Sequence, residues 1–159
     1  AWNGGGPLCT RKSAVDELRA QSVTEDMAAE KKFRAGYDWA KENVRWSNSG
    51  SDKTAGTKEA YRAINRKAGD SFTTSAFFHA CMLRLGFQDM MVQRDGGYYY
   101  WNLVNLGDGW RYVDCGRGSS SVQQEVLLLT DEQLAACSEA SGSGFYSVRS
   151  ELYPPAKAE

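Results

Sequence analysis

The segment from Ser71 to Leu85 restricts the fold more than any other, because it is apolar on nearly all sides. Gly69 and Asp70 break the chain before it, and Gly86 is a suitable C-terminal stop after it. Its apolar positions are Phe72, Ala76, Phe77, Phe78, Ala80, Cys81, Met82, Leu83 and Leu85. A helix that is apolar all round is a buried one. We therefore predict a central helix that starts near Ser71 and that the rest of the chain surrounds.

One long helix and two short ones are predicted before this segment. Thr24 is a preferred N-cap residue, and the helix that it starts is expected to run to about Arg45. One face of that helix carries apolar residues at helical spacing, namely Phe33, Tyr37, Ala40 and Val44. The pattern from Lys58 to Lys67 predicts a second helix, and Asp16 to Ala20 predicts a short one.

After Gly86 the pattern becomes that of strands and tight turns. The predicted strands are Met90–Arg94, Tyr98–Leu106, Trp110–Cys115, Val122–Leu129 and Phe145–Val148. Glycine-rich turns join the first three as hairpins. Thr130 and Gln133 form a capping box that predicts a short helix. Helices followed by an antiparallel sheet predict the α+β class, with N-terminal helices and a buried central helix packed on the sheet.

The length and the charge of the chain set further bounds. Its 159 residues suit one domain, which we place at 22–155, with an arm at 1–21 and a tail at 156–159. Nineteen basic residues face 20 acidic ones, so no electrostatic footprint for nucleic acid or an anionic membrane is present. No apolar run approaches the about 18 residues of a membrane helix, so we expect no membrane span.

Cysteine and histidine usage argues against a metal site. The four cysteines are Cys9, Cys81, Cys115 and Cys137. None has C-x-x-C spacing, and we expect neither a metal nor another cofactor. Cys81 is expected in the core, and a Cys115–Cys137 disulfide remains open. The single histidine, His79, lies eight residues into the central helix and roughly 12 Å from its start, so we expect a core or edge residue and no base.

Three short motifs surround the predicted central helix. They read Gly69-Asp70-Ser71, Tyr99-Tyr100-Trp101-Asn102 and Trp110-Arg111-Tyr112-Val113-Asp114, with Tyr99 and Asp114 15 positions apart. This pattern resembles the core of the transglutaminase-like superfamily, relatives of papain-type cysteine enzymes. That family has Gly-x-Cys at a helix start, His-x-Trp-Asn on a strand and Trp-x-x-x-Asp on the next. The resemblance covers about residues 22–155 and is strongest to domains of secreted or surface proteins of Gram-positive bacteria.

The resemblance implies catalytic positions for Ser71, Tyr99 and Asp114. A cysteine at a helix N-terminus gains thiolate character, a histidine takes its proton, and an acid orients the imidazole. Here Ser71 replaces the cysteine and Tyr99 replaces the histidine. A serine hydroxyl is not ionised at pH 7 without a base, and a tyrosine with an ordinary pKa near 10 is a poor one. Asp114 would raise that pKa further, so we expect no acyl transfer. Ser71 is also a candidate helix N-cap.

Three functional hypotheses remain open at this level. The first is a catalytically degenerate domain that binds a protein, a peptide or peptidoglycan in a cleft, outside the cell or at its surface. Ser71 and Asp114 would form the floor of that cleft, and its aromatic contacts would be Tyr99, Trp101, Tyr98 and Trp46. The alternative is an active transglutaminase or cysteine-type peptidase, with cysteine at position 71 of the natural chain or with an unusual Ser–Tyr arrangement. The third is a structural spacer that binds no ligand.

Overall fold

The computed structural model describes residues 27–48, 50–116, 125–142 and 144–157, which form four helices and two sheets. The helices are α1 (Ala29–Asn43), α2 (Gly56–Arg66), α3 (Ser71–Arg84) and α4 (Asp131–Ala140), with a 3₁₀ helix at Ser150–Leu152. The strands are β1 (Arg45–Trp46), β2 (Ala68–Gly69), β3 (Gln88–Gln93), β4 (Tyr100–Asn105), β5 (Trp110–Val113) and β6 (Leu127–Leu129). The predicted α+β class is confirmed.

Helix α3 is the buried central element that the apolar pattern predicts. Every residue from Ser71 to Phe78 is buried, and the helix packs against α1, α2, β3 and β4. Its N-cap is Asp70, whose side chain accepts a hydrogen bond from the Thr73 N–H at 3.0 Å. The expected N-cap role of Ser71 is therefore wrong, because Ser71 is the first helical residue. Gly86 follows with a positive φ of 87°, a conformation that glycine adopts without strain.

The larger sheet is antiparallel with the strand order β3-β4-β5-β6. The two predicted hairpins are confirmed, since β3 pairs with β4 and β4 pairs with β5. Strands β1 and β2 form a separate parallel pair in which Trp46 lies opposite Gly69. That pairing places an indole beside the start of α3.

The larger sheet is covered on both faces. On the first face, Val104 and Val113 join the core of α1, α2 and α3. On the second face, Trp101, Leu103 and Tyr112 pack with Leu134 of α4. Val126 of the β5–β6 connection and Tyr146 and Ala156 of the C-terminal segment complete this second core. Alternation along β4 explains the division, because successive side chains point to opposite sides of a strand.

The boundaries of the N-terminal helix differ from the expectation. Helix α1 starts at Ala29 after Ala28, which makes no capping side-chain bond, and Arg45 is already in β1. Thr24, the helix expected at Asp16–Ala20 and the first residues of the predicted Val122–Leu129 strand lie outside the described residues. The capping box of Thr130 and Gln133 is confirmed at the start of α4.

The C-terminal segment also departs from the pattern. Phe145 to Val148 is not a strand; it forms a turn and irregular backbone whose aromatic rings pack on one another. Ala156 is fully buried, its N–H donates to Asp131 Oδ2, and its carbonyl accepts from the Asp131 N–H. The packed part of the chain thus extends past the expected boundary at residue 155.

Candidate functional site

A cleft of about 440 Å³ opens where the N-terminus of α3 meets the β1–β2 pair and the approach to β4. Its lining residues are Trp46, Asn48, Gly50, Ser51, Lys53, Asp70, Ser71, Arg94, Tyr98, Tyr99 and Phe145. We call this the main cleft. It combines aromatic rings with two cations and one carboxylate, and two of the three predicted catalytic positions contribute to it.

Ser71 lies at the inner end of the main cleft. Its side-chain oxygen accepts a hydrogen bond from the Tyr100 N–H at 3.1 Å, and only 3% of the residue is exposed. The next residue, Phe72, packs edge-on against the Tyr100 ring at 4.9 Å. The first turn of α3 is thereby fixed to the start of β4, and the serine hydroxyl serves that attachment.

Tyr99 and Asp114 form a hydrogen-bonded pair in which Asp114 is buried and Tyr99 is partly buried. The Tyr99 hydroxyl donates to Asp114 Oδ2 at 2.8 Å, and Tyr146 donates to the same oxygen at 2.8 Å. The Gly116 N–H donates to Asp114 Oδ1 at 2.9 Å. Both carboxylate oxygens therefore have donors. A side chain at Gly116 would meet Asp114 Oδ1 at 3.0 Å and the Tyr99 hydroxyl at 3.3 Å, so only glycine fits here without movement.

Burial is the largest influence on the pKa values of Asp114 and Tyr99. It raises the pKa of Asp114, while hydrogen bonds from Tyr146, Tyr99 and the Gly116 N–H act in the opposite direction. Burial, and secondarily the charge of Asp114, raises the pKa of Tyr99 far above its usual value. The predicted effect of Asp114 on Tyr99 is confirmed, although burial is the larger cause. The Tyr99 hydroxyl stays protonated at neutral pH and has no capacity to act as a base.

The predicted site residues are brought together only in part. Tyr99 and Asp114 are in contact, and Ser71 shares the main cleft with Tyr99, but within the described part of the chain no hydrogen bond joins Ser71 to Tyr99. Trp46 and Tyr98 line the cleft, and Tyr98 is 79% exposed.

Two expected cleft contacts require correction. Trp101 is 1% exposed and packs against Tyr146 on the second face of the sheet, so it does not line the main cleft. Trp101 lies on the same face of the sheet as Tyr99, but Leu134 of α4 and Tyr146 of the C-terminal segment cover it. Asp114 does not line the floor either, because the Tyr99 and Tyr146 hydroxyls enclose it.

One cluster at the cleft was missed by sequence reasoning. Asp70 Oδ2 accepts from the Ser51 hydroxyl at 2.5 Å and pairs with Lys53 at 2.6 Å, and Lys53 also contacts the Ser51 hydroxyl. Partial burial raises the Asp70 pKa, but hydrogen bonds from Lys53, Ser51 and the Thr73 N–H outweigh it, so the pKa is lowered to about 2. Asp70 immediately before an apolar helix is an N-cap signal that the sequence does contain; the approach of Lys53 has no local signal.

Arg94 was also missed. Its guanidinium lies over the Phe145 ring at 4.7 Å, and Phe145 packs edge-on against Tyr99 at 4.7 Å. These residues are distant in sequence, and no spacing rule joins them. The stacked arginine gives one wall of the main cleft a fixed positive charge.

A second polar cluster lies on the first face of the sheet, away from the main cleft. His79 Nδ1 lies 2.6 Å from Asp89 Oδ1, which also accepts from the Asn102 side-chain amide at 2.9 Å. His79 is thus a partnered histidine at the edge of the core, as expected. Asp89 Oδ2 and Asn102 Oδ1 are buried and have no hydrogen-bond partner among the described residues.

The cysteines act as core residues where they are described. Cys81, Cys115 and Cys137 are free, buried thiols, so no Cys115–Cys137 disulfide is present. Over the described ranges, no group of three or more His, Cys, Asp or Glu side chains is placed to hold a metal ion. None of the helices in these ranges has the length and apolar character needed to cross a membrane.

Comparison of the sequence with models of known protein families finds no match, and comparison with curated proteins finds none either. The interpretation of the cleft therefore depends on its residues and their geometry.

Proposed function

We propose that this chain is a ligand-binding domain with a transglutaminase-like core that has lost acyl-transfer chemistry. Its ligand is a protein, a peptide or a peptidoglycan fragment, and its setting is a secreted or surface-attached bacterial protein. The motif resemblance supports the family and the setting. The open cleft beside Ser71 carries the binding proposal.

The main cleft retains space at the position where the family places its nucleophile. Its volume of about 440 Å³ lies within the range of small-ligand sites, and its walls include Trp46, Tyr98 and Phe145. Aromatic side chains offer large apolar faces to peptide or sugar groups. A spacer without a ligand has no need for such a cavity, so the cavity favours binding over a purely structural role.

The chemistry of the predicted catalytic positions favours binding over catalysis. Ser71 needs a base to become a nucleophile. Tyr99, at the base position, already donates its proton to Asp114, and its pKa is raised by burial and by that carboxylate. No described group at this position takes a proton from Ser71, so the proposal assigns these residues to the architecture of the cleft.

Amine incorporation tests the loss of catalysis. The chain is incubated with a glutamine peptide and a labelled primary amine, beside Ser71→Ala and the double variant Tyr99→His/Ser71→Cys. We expect no labelling above the Ser71→Ala control for the chain itself, and thiol alkylation of the double variant below the usual cysteine pKa of about 8.5.

The outcomes separate the alternatives. Labelling by the unaltered chain would overturn the loss of catalysis and favour an acyl-transfer enzyme. Absence of a low-pKa thiol in a folded double variant would show that the assignment of the three positions is wrong. A third variant, Trp46→Ala, tests the cleft itself: it should weaken binding of peptide ligands without altering the melting temperature by more than a few degrees.

A further inference from the structure

A second cleft of about 360 Å³ adjoins the main cleft. It is lined by Gln93, Arg94, Asp95, Gly96, Gly97, Tyr98 and Arg149. We call it the hairpin cleft, because it follows the turn between β3 and β4. Arg94 and Tyr98 line both clefts, so the two spaces meet at these side chains. A ligand that fills both must be elongated and must pass Arg94.

Among the residues that the structure describes, charge pairing distinguishes Arg94 from the other cations of the two clefts. The main cleft pairs Lys53 with Asp70 at 2.6 Å. The hairpin cleft holds Arg149 near Asp95 at 3.9 Å, with both side chains more than half exposed. Within the described ranges, Arg94 has no carboxylate within ion-pair distance. Its charge is available at the junction of the two clefts.

The Arg94 side chain is also held in place. Its guanidinium lies over Phe145 on one side. Its aliphatic part passes so close to Gly97 that a methyl group there would meet Arg94 Cδ at 3.2 Å. The tight turn itself is closed by the Gly97 N–H, which donates to the Arg94 carbonyl at 3.2 Å. A stacked guanidinium keeps its planar N–H edge for a carboxylate, so little rotamer freedom is lost on binding.

We propose that the two clefts together bind an extended acidic peptide, with a carboxylate side chain of the peptide bound by Arg94 at their junction. The elongated shape selects a chain-like ligand, and the exposed Tyr98 ring and the Trp46 ring contact its apolar parts. This inference rests on the proposed binding function and specifies the ligand class of the same cleft.

Two dye-labelled hexapeptides that alternate Gly with either Glu or Gln provide the test, by fluorescence anisotropy with the full chain. We expect the Glu peptide to bind at least about tenfold more tightly, with the preference falling as salt rises. Arg94→Gln should abolish the preference, and Arg94→Lys should retain part of it because the charge remains without the planar fork. Arg66→Gln removes an exposed arginine that lines neither cleft, and it should leave the preference intact.

Each outcome decides the proposal. Equal binding of both peptides, weakened by Trp46→Ala and unaffected by Arg94→Gln, would overturn the acidic ligand while leaving the cleft function in place. Absence of binding by either peptide up to about 1 mM, the weak end of specific affinities, would overturn the peptide-binding function as well. Loss of the preference in Arg66→Gln would show that net charge, and not the Arg94 site, governs binding. Near-UV circular dichroism of each variant verifies that its aromatic packing is intact.

Discussion

Two aspartates on opposite faces of the sheet have a similar degree of burial and different surroundings. Asp114, on the second face, accepts from Tyr99, Tyr146 and the Gly116 N–H, so both its oxygens have donors. Asp89, on the first face, is hydrogen-bonded to His79 and accepts from Asn102 at one oxygen only, and its Oδ2 has no partner within the described part of the chain. Burial raises the pKa of both.

The two buried carboxyl groups contribute to stability in different ways. Around Asp114 neutral donors converge, so the site suits a carboxylate that organises the surrounding tyrosines. Around Asp89 the buried Asn102 Oδ1 is an acceptor without a described partner, and a proton on Asp89 would supply a donor that the charged form lacks. Asp114 is therefore expected to stabilise the fold through the hydrogen bonds that it accepts. The contribution of Asp89 to stability is expected to depend on its protonation.

The largest expected effect is that of Asp114→Ala. The substitution leaves the hydroxyls of the buried Tyr146 and the partly buried Tyr99 without their acceptor, so we expect a loss of about 3 kcal/mol in the free energy of unfolding. Urea titration of the variant and the unaltered chain measures it. Asp114→Asn is the matched control, because it keeps one acceptor oxygen for the tyrosines and should lose less. Equal losses in both variants would mean that the charge, and not the bond pattern, stabilises the second face.

A smaller loss, about 1 kcal/mol, is expected for Asp89→Ala. The Asn102 amide still has the Ser75 carbonyl at 3.2 Å, and the variant removes an oxygen that had no partner. The same urea titration applies. A loss as large as that of Asp114→Ala would contradict the contrast between the two faces and would indicate a stronger role for the His79 bond.

The last expected effect is a dependence of the free energy of unfolding on pH. Because the folded-state pKa of Asp89 is raised, its contribution is fully present below the unfolded pKa of about 4 and is lost as pH rises through the folded value. The asparagine of Asp89→Asn does not titrate. The stability of this variant relative to the unaltered chain should therefore increase as pH rises from 4 to 7. Paired urea titrations at several pH values measure the trend.

Asp70→Asn is the control, because its relative stability should change with pH in the opposite direction. The pKa of Asp70 is lowered to about 2, so its contribution is present above pH 4 and is lost as pH falls toward 2. The stability of Asp70→Asn relative to the unaltered chain should therefore increase as pH falls. Since the group is partly solvated, we expect a difference of about 1 kcal/mol at pH 7. Identical pH trends for the two variants would refute the assigned shifts.

The sequence predicted those helices and turns whose formation depends on residues close together in the chain. The apolar segment after Asp70 predicted a buried helix, the glycine turns predicted two hairpins, and Thr130 predicted a helix start. The strand predicted at Phe145 to Val148 is absent because the Phe145 and Tyr146 rings pack on each other and on Tyr99 and Trp101, and this tertiary packing overrides strand propensity.

The site was predictable where strand spacing applies and not elsewhere. Tyr99 and Asp114 meet because neighbouring antiparallel strands bring those positions together. Trp101 was misplaced because the motif gives its position along β4, whereas the cover provided by α4 and the C-terminal segment determines its burial. Tyr146 and Arg94 join the cluster through long-range contacts, for which a single sequence contains no local signal.

The dependence of the second face on Tyr146 and Ala156 has a consequence for the order of folding during synthesis. Most of the first face is built from α1, α2, α3 and strands that end by Val113, and only Cys115, Leu127 and Leu128 come later, so a chain emerging from the ribosome can assemble most of it early. The hydrogen bond from Tyr146 to Asp114 forms only after Tyr146 has been synthesised, and the bond from the Ala156 N–H to Asp131 of α4 forms later still. Until those residues arrive, the aspartate stays hydrated and the half-covered sheet exposes Trp101, which makes this interval the period of greatest aggregation risk.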